Sequence, residues 1–188
     1  MIMIQVLLGG ITRLTESGLS ITEWKPLIGM LPPIGHDAWM AEFDKYKNTD
    51  QFKYIHSDFT LSDFKFIFFW EWFHRLWAQL LGFVFLIGFV YFIWKRKFRK
   101  EMIVPFIILF LLGSVQGAIG WIMVKSGLVP EMYFVGHVEL ATHFVSALVL
   151  LVYTLWFALT LLVPQQSISK STLLKRFLYL LIVLLFVQ

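Results

Sequence analysis

Cysteine is absent from these 188 residues, and charged side chains make up only 15% of them. The first absence excludes disulfide bridges and thiolate metal sites, and with them any thiol-based delivery of electrons through this stretch of chain. The second excludes an ordinary soluble domain, which carries charge on about a quarter of its residues. What fills the space is 59% hydrophobic and 18% aromatic, with a mean hydropathy of +0.75. No internal repeat is visible, and neither end carries an apolar run long enough to cross a bilayer. Met1 to Gly9 supplies nine largely apolar residues and Phe177 to Gln188 twelve. The first nine lack the basic flank and cleavage site of a secretory signal peptide. Both ends are therefore expected to be truncated membrane helices of a longer protein.

Between them lie three long runs. Met102 to Val124 has 23 residues without a charged side chain, and Leu140 to Val163 has 24 whose one imidazole is His143. Each suffices to cross ~30 Å of hydrocarbon at ~1.5 Å per residue. Phe66 to Trp94 is the third, and Glu71, His74 and Arg75 interrupt it. The expected organisation is all-α, a polytopic membrane helical bundle. It has a truncated helix at 1–9, a loop at 10–65, transmembrane helices at 66–94, 102–124 and 138–163, and a truncated helix at 177–188.

Basic residues orient the bundle. Lys95 to Lys100 packs five Lys/Arg into six positions, and Lys170, Lys175 and Arg176 follow later with no acid nearby, which marks cytoplasmic loops. The net charge of +4 reports this topology, and nothing in it points to nucleic acid. Gly10 to Lys65, with six basic and eight acidic residues, faces outward. This outer loop is punctuated by Pro26, Gly29, Pro32, Pro33 and Gly35, after which Trp39, Phe43 and Tyr46 recur at helical spacing. One short amphipathic helix over Asp37 to Tyr54, lying on the outer surface, is expected. Thr60-Leu-Ser-Asp63 has the form of a capping box opening the next helix.

With that orientation His74 lies about 12 Å below the outer start of its helix and His143 about 8 Å below its own. Two imidazoles on two parallel helices thus share nearly one level. Small residues follow each: Ala78 and Gly82 after His74, Ser146 and Ala147 after His143. The middle helix adds Gly113, Gln116, Gly117 and Gly120, with Gly113 and Gly117 in the small-xxx-small spacing that brings helices close. Together these leave room for a flat macrocycle ligated by imidazole, with Trp70, Phe73 and Trp77 around its edge. The structural alternative is that each His only bonds a neighbouring helix and the glycines only pack. Buried ionisable groups in a bilayer are costly, and the matched pair favours ligation. Glu71 stands one turn outward of His74, where it can orient the imidazole, pair with Arg75, or exchange protons with a substrate. Arg75 also suits a propionate.

Gly9 to Pro33, reading GGITRLTESGLSITEWKPLIGMLPP, followed by FKFIFFWEWFHRLWAQLLG, QGAIGWIMVKSGL and ELATHF, resembles the haem A synthase family of the proteobacterial and mitochondrial type. The resemblance covers nearly all of the chain. It implies an eight-helix protein of two similar four-helix halves that oxidises a ring methyl of haem O to the formyl group of haem A for terminal oxidases. This chain looks like the first half, expected to be inactive alone. The resemblance assigns His74 and His143 to the iron of the substrate haem and Glu71 to catalysis, with haem B in the second half; Arg75, and Gln116 and Gly117 of the middle helix, are expected to contact the haem. The implied surroundings are a lipid bilayer of the bacterial or mitochondrial inner membrane, a haem O synthase as supplier, an unidentified electron donor, and a homo-oligomer as one permitted state. Two departures put propionate contacts in question: Glu139 stands where the family often has Arg, and Ala78 and Gln79 stand where Gly-Arg often follows. A b-type cytochrome domain serving quinol-linked electron transfer is the second reading, and an assembly protein without chemistry the third.

Overall fold

The computed structural model describes residues 1–23, 28–163 and 171–187. Trp24, Lys25, Pro26, Lys170 and Gln188 lie outside the described residues. Every regular element among those described is helical: α1 Ile2–Leu14, a 3-10 turn Ile28–Met30, α2 His36–Lys47, α3 Asp50–Tyr54, α4 Leu61–Trp94, α5 Lys100–Gly127, α6 His137–Leu162 and α7 Thr172–Val187. Three of these, α4, α5 and α6, are long and apolar enough to cross a membrane. Nothing in the most apolar stretch of α4 or α5 is buried within the protein. So much continuous exposed apolar surface requires lipid rather than water around it.

The chain forms two units, Met1–Thr154 and Leu155–Gln188. In the first, α1 packs chiefly against α4, and α2 against the start of α4. A buried aromatic core of Phe43, Tyr46, Phe64, Ile67 and Phe68 joins α2 to the first turns of α4, with Trp39, Phe52, Phe59 and Trp72 around it. The core therefore lies where the α1–α4 connection folds over one end of α4, leaving the rest of that helix to the bilayer. Leu19, 2% exposed, reaches across to α5, where a Cβ at Gly127 would lie 2.7 Å from it. The second unit holds the last turns of α6 and all of α7, whose described large apolar side chains are mostly exposed.

α5, at 100–127 against 102–124, and α7, from 172 against 177, run longer than expected, and three further boundaries differ at identifiable local features. α1 runs through Gly9 and Gly10 to Leu14, with Thr12 and Thr15 returning their hydroxyls to the carbonyls of Leu8 and Ile11. It stops where Glu16 turns left-handed at φ 55°, with Glu16 N–H donating to Arg13 O and Ser17 N–H to Thr12 O, a Schellman closure. α4 begins at Leu61, ahead of Phe66, since the Thr60–Asp63 capping box is formed in both directions. In place of one amphipathic helix over Asp37 to Tyr54 there are two. Thr49 breaks the run by accepting the Phe52 N–H with its side chain, which starts α3 afresh.

Candidate functional site

α4 carries Glu71, His74 and Arg75 on successive turns, and the first of them is 2% exposed. One Glu71 oxygen pairs with Arg75 Nη2; the other accepts Ser20 Oγ at 2.7 Å and the Ile21 N–H at 2.8 Å. Arg75 Nη2 also donates to Ile21 O at 3.2 Å. The two side chains thus hold both polar groups of Ile21 and pin the α1–α4 connection onto α4. Of the three roles open to Glu71 from sequence, pairing with Arg75 is formed. The neighbours bonded to the carboxylate are Arg75, Ser20 and Ile21, and His74 is not one of them.

His74 faces α1, where Gly9 admits it: a Cβ there would lie 3.4 Å from Nε2. Gln5, one turn earlier on α1, brings its carboxamide nitrogen to 2.8 Å from that same Nε2. His143 on α6 faces α5 in the same manner. A Cβ at Gly120 would fall 2.8 Å from Cε1, so only glycine admits the ring, and Gln116 Nε2 stands 3.2 Å from Nδ1. Gly113 and Gly117 are not what brings α5 close to a neighbour, because a Cβ at either would meet nothing within 4 Å. Glu139 folds back on Gly136 at the start of α6, where a Cβ would lie 2.0 Å from its Oε2.

Sequence inspection passed over Gln5 and the spacing to which it belongs. Gln5-Val-Leu-Leu-Gly9 and Gln116-Gly-Ala-Ile-Gly120 share the spacing Gln-x-x-x-Gly, and each meets a histidine of the helix packed against it. The same Gln-x-x-x-Gly spacing thus occurs twice beside a histidine, a likeness that shows only once the helices are paired. A second cluster passed over lies in the α1–α4 connection. His56, 6% exposed, takes Tyr46 Oη at 2.6 Å on Nδ1 and Glu16 Oε2 at 3.1 Å on Nε2, and stacks on Phe59. Tyr46 is fully buried, and burial pushes its phenol above the ordinary tyrosine range, with the charges of Glu71 and then Glu16 adding to the effect.

Among the described residues no group of three or more His, Cys, Asp or Glu could hold a metal ion. A bare ion asks for three or four protein donors. Two imidazoles fit a metal that arrives with most of its ligands in place, as in a metallated tetrapyrrole. Other features agree. Gly9 and Gly120 are cradles that a side chain would fill, and Gln5 Oε1 and Trp70 Nε1 are buried without a hydrogen-bond partner.

The family model described as cytochrome oxidase assembly protein matches residues 1–188. Proteins named Heme A synthase are similar over most of the chain. That of Flavobacterium johnsoniae is 44% identical over 172 residues, 90% of this chain and 50% of its own. That of Ehrlichia ruminantium is 49% identical over 165 residues, 88% of this chain and 47% of its own. That of Paracoccus denitrificans is 46% identical over 171 residues, 91% of this chain and 45% of its own. The chain spans about half the length of the curated relatives it matches. No solved structure matches it significantly. By a family match over its whole length, the chain belongs to the family of cytochrome oxidase assembly proteins, and it is 44–49% identical to these relatives named Heme A synthase.

Proposed function

We propose that this chain is the N-terminal four-helix half of an eight-helix, two-repeat haem A synthase, and that it holds the substrate haem. The observation that carries the reading is the pair of imidazoles, His74 on α4 and His143 on α6, each admitted by a glycine of the adjacent helix. His74 and His143 would ligate the iron. Arg75, Gln116 and Gly117 would flank the macrocycle, the open space beside Gly117 being room for it. Converting a ring methyl to a formyl group adds one oxygen and removes four electrons, so protons must leave the site. Glu71 is the buried carboxylate one turn from His74, and we assign proton handling to it. With water supplying the oxygen, the four electrons would leave to a redox partner outside this chain, haem B of the second half serving as the relay. Haem O comes from a haem O synthase, and the setting is an inner membrane, in which a homo-oligomer is compatible with the exposed helix faces.

The competing reading is a b-type cytochrome domain that only passes electrons. Two-imidazole ligation fits both, whereas an acid buried beside the site is needed only for the oxidation. The test is made in full-length protein with His74→Ala and His143→Ala, reading bound haem by absorption and products by chromatography. Loss of haem at this site together with accumulation of haem O is expected. Unchanged haem A output in either variant would overturn the reading, and an electron-transfer defect with normal haem A would favour the cytochrome.

A further inference from the structure

Each imidazole of the site is met by a glutamine placed four residues ahead of the glycine that seats the ring. In both cases the carboxamide nitrogen donates to a ring nitrogen and to the backbone carbonyl of the same histidine. The distances are 2.8 and 3.3 Å from Gln5 to His74, and 3.2 and 3.0 Å from Gln116 to His143. An amide N–H needs a lone pair, so the ring nitrogen it meets is the unprotonated one of a neutral imidazole. A metal ion binds through the same lone pair.

The two contacts differ in the nitrogen they hold and in the fate of the amide's other end. Gln116 ends on Nδ1, and its oxygen accepts Ser146 Oγ at 2.5 Å, so both ends of its amide are partnered. Gln5 ends on Nε2, and its oxygen is buried with no partner. Turning the Gln5 amide over gives no relief, because its oxygen would then face the His74 carbonyl, acceptor against acceptor. A buried acceptor without a donor works against the arrangement that strands it. Of the two glutamine contacts, the one at His74 is built to give way.

We infer that Gln5 is a placeholder for metal at His74. Its amide keeps Nε2 as the lone-pair nitrogen, aimed at α1, and yields that position when a metallated tetrapyrrole enters; Gln116, which donates to Nδ1, must release its lone pair as well before His143 can ligate. The inference rests on the ligand role of the two histidines and adds an order to it: the contact at His74, with its stranded amide oxygen, opens first, and the fully partnered one at His143 second. Gln5 acts through His74 and is a positioning residue.

The test uses full-length protein prepared haem-free in detergent and mixed with ferric protoporphyrin IX. The low-spin absorption signature of two imidazoles on one iron is followed in time. Gln5→Leu keeps bulk and removes the amide; it is expected to speed appearance of the signature about two- to tenfold, the worth of one net hydrogen bond. Gln5→Asn, too short to reach Nε2, should do the same and serves if the Leu variant does not fold. In a His74→Ala background, tetrapyrrole binding through the remaining imidazole should proceed at a rate the Gln5 change does not alter. An unchanged or slower rate in both Gln5 variants overturns the inference, as does an acceleration that persists without His74. If His74→Ala alone leaves the two-imidazole signature intact, the ligand reading itself has failed, a result separable from the other two.

Discussion

Glu71 and Arg75, one turn apart on α4, grip the backbone of Ile21 from both ends: the carboxylate accepts its N–H and the guanidinium donates to its carbonyl. A buried carboxylate left without its cation is far more costly than the pair is favourable. Glu71→Gln and Arg75→Gln should therefore each destabilise the protein, and together cost less than the sum. A coupling of roughly 0.5–3 kcal/mol is expected for groups sharing one target. Thermal unfolding of the two single variants and the double variant in detergent measures it; simple additivity would mean that the grip is not cooperative.

A clamp and a proton carrier make different demands on the same carboxylate. Glu71→Gln keeps an oxygen for Ile21 N–H and Ser20 but removes charge and proton exchange. In the full-length enzyme haem should still bind with a near-normal spectrum, while haem O or its alcohol accumulates at the expense of haem A. Haem loss that precedes any change in product ratio would leave the clamp as the whole role of Glu71.

Two glycines of α5 differ in what lies beside them: Gly120 is filled and Gly117 is open. Gly120→Ala places a Cβ 2.8 Å from His143 Cε1, and the stiff ring must turn away. Haem affinity should fall about tenfold or more, as for other losses of ligand orientation. Gly117→Ala meets nothing within 4 Å, so the haem-free protein should be unharmed or stabilised by about 0.5–1 kcal/mol. Haem binding should nonetheless weaken if a macrocycle occupies that space. Equal effects of the two substitutions on haem-free stability would contradict this division.

Asp50 ties the first helices to the α5–α6 connection by accepting the Glu131 N–H at 2.8 Å, with Lys53 Nζ at 3.2 Å. The Glu131 amide, then Lys53, holds its carboxyl below the ordinary aspartate value. A depressed folded value means that the contribution is present above the unfolded pKa and is lost as pH falls through the folded one. Protection of the Glu131 amide, taken relative to intrinsic exchange at each pH, should thus hold near neutrality and fall only below about pH 4. Asp50→Asn should remove that acid step; its survival in the variant would assign the step elsewhere.

The spans of the bundle were legible because they rest on composition: a run of apolar residues longer than the bilayer is thick admits one structure. The capping box was legible for a similar reason, being local and chemical. His74 and His143 stood out as imidazoles in apolar runs. What escaped was pairwise. Gln5 reads as one polar residue in an apolar nine until α1 lies on α4, and Ser20 and Ile21 have no feature of their own that calls for Glu71. Splitting the Asp37 to Tyr54 helix took one side-chain bond at Thr49, weaker than the periodicity across it. The Gln-x-x-x-Gly spacing needed both helix pairs before its two occurrences could be seen as one device.

Tyr46 offers the sharpest test of how the connection over α4 is held. Its hydroxyl lies 2.6 Å from His56 Nδ1 and 3.1 Å from Gln51 Oε1, and Gln51 Nε2 continues to Glu16 O at 3.2 Å. Four segments are joined in this way: the turn after α1, α2, α3 and the residue His56 beyond it. Gln51 Oε1 can only accept, so it depends on the phenol for its donor. Tyr46→Phe keeps the ring, its stacking on Phe64 and its edge contact with Phe52. The variant strands Gln51 Oε1 and one nitrogen of His56 in a buried place, at a cost of about 1–3 kcal/mol. Because the loss is polar and local, hydrogen exchange should accelerate across α2 and α3 and leave the middle of α4 untouched. His56→Phe should mimic it, since stacking on Phe59 survives while the links to Tyr46 and Glu16 do not. Exchange in α2 and α3 that is unchanged in both variants would mean that the aromatic core alone holds the cap, and that the buried polar chain adds nothing to it.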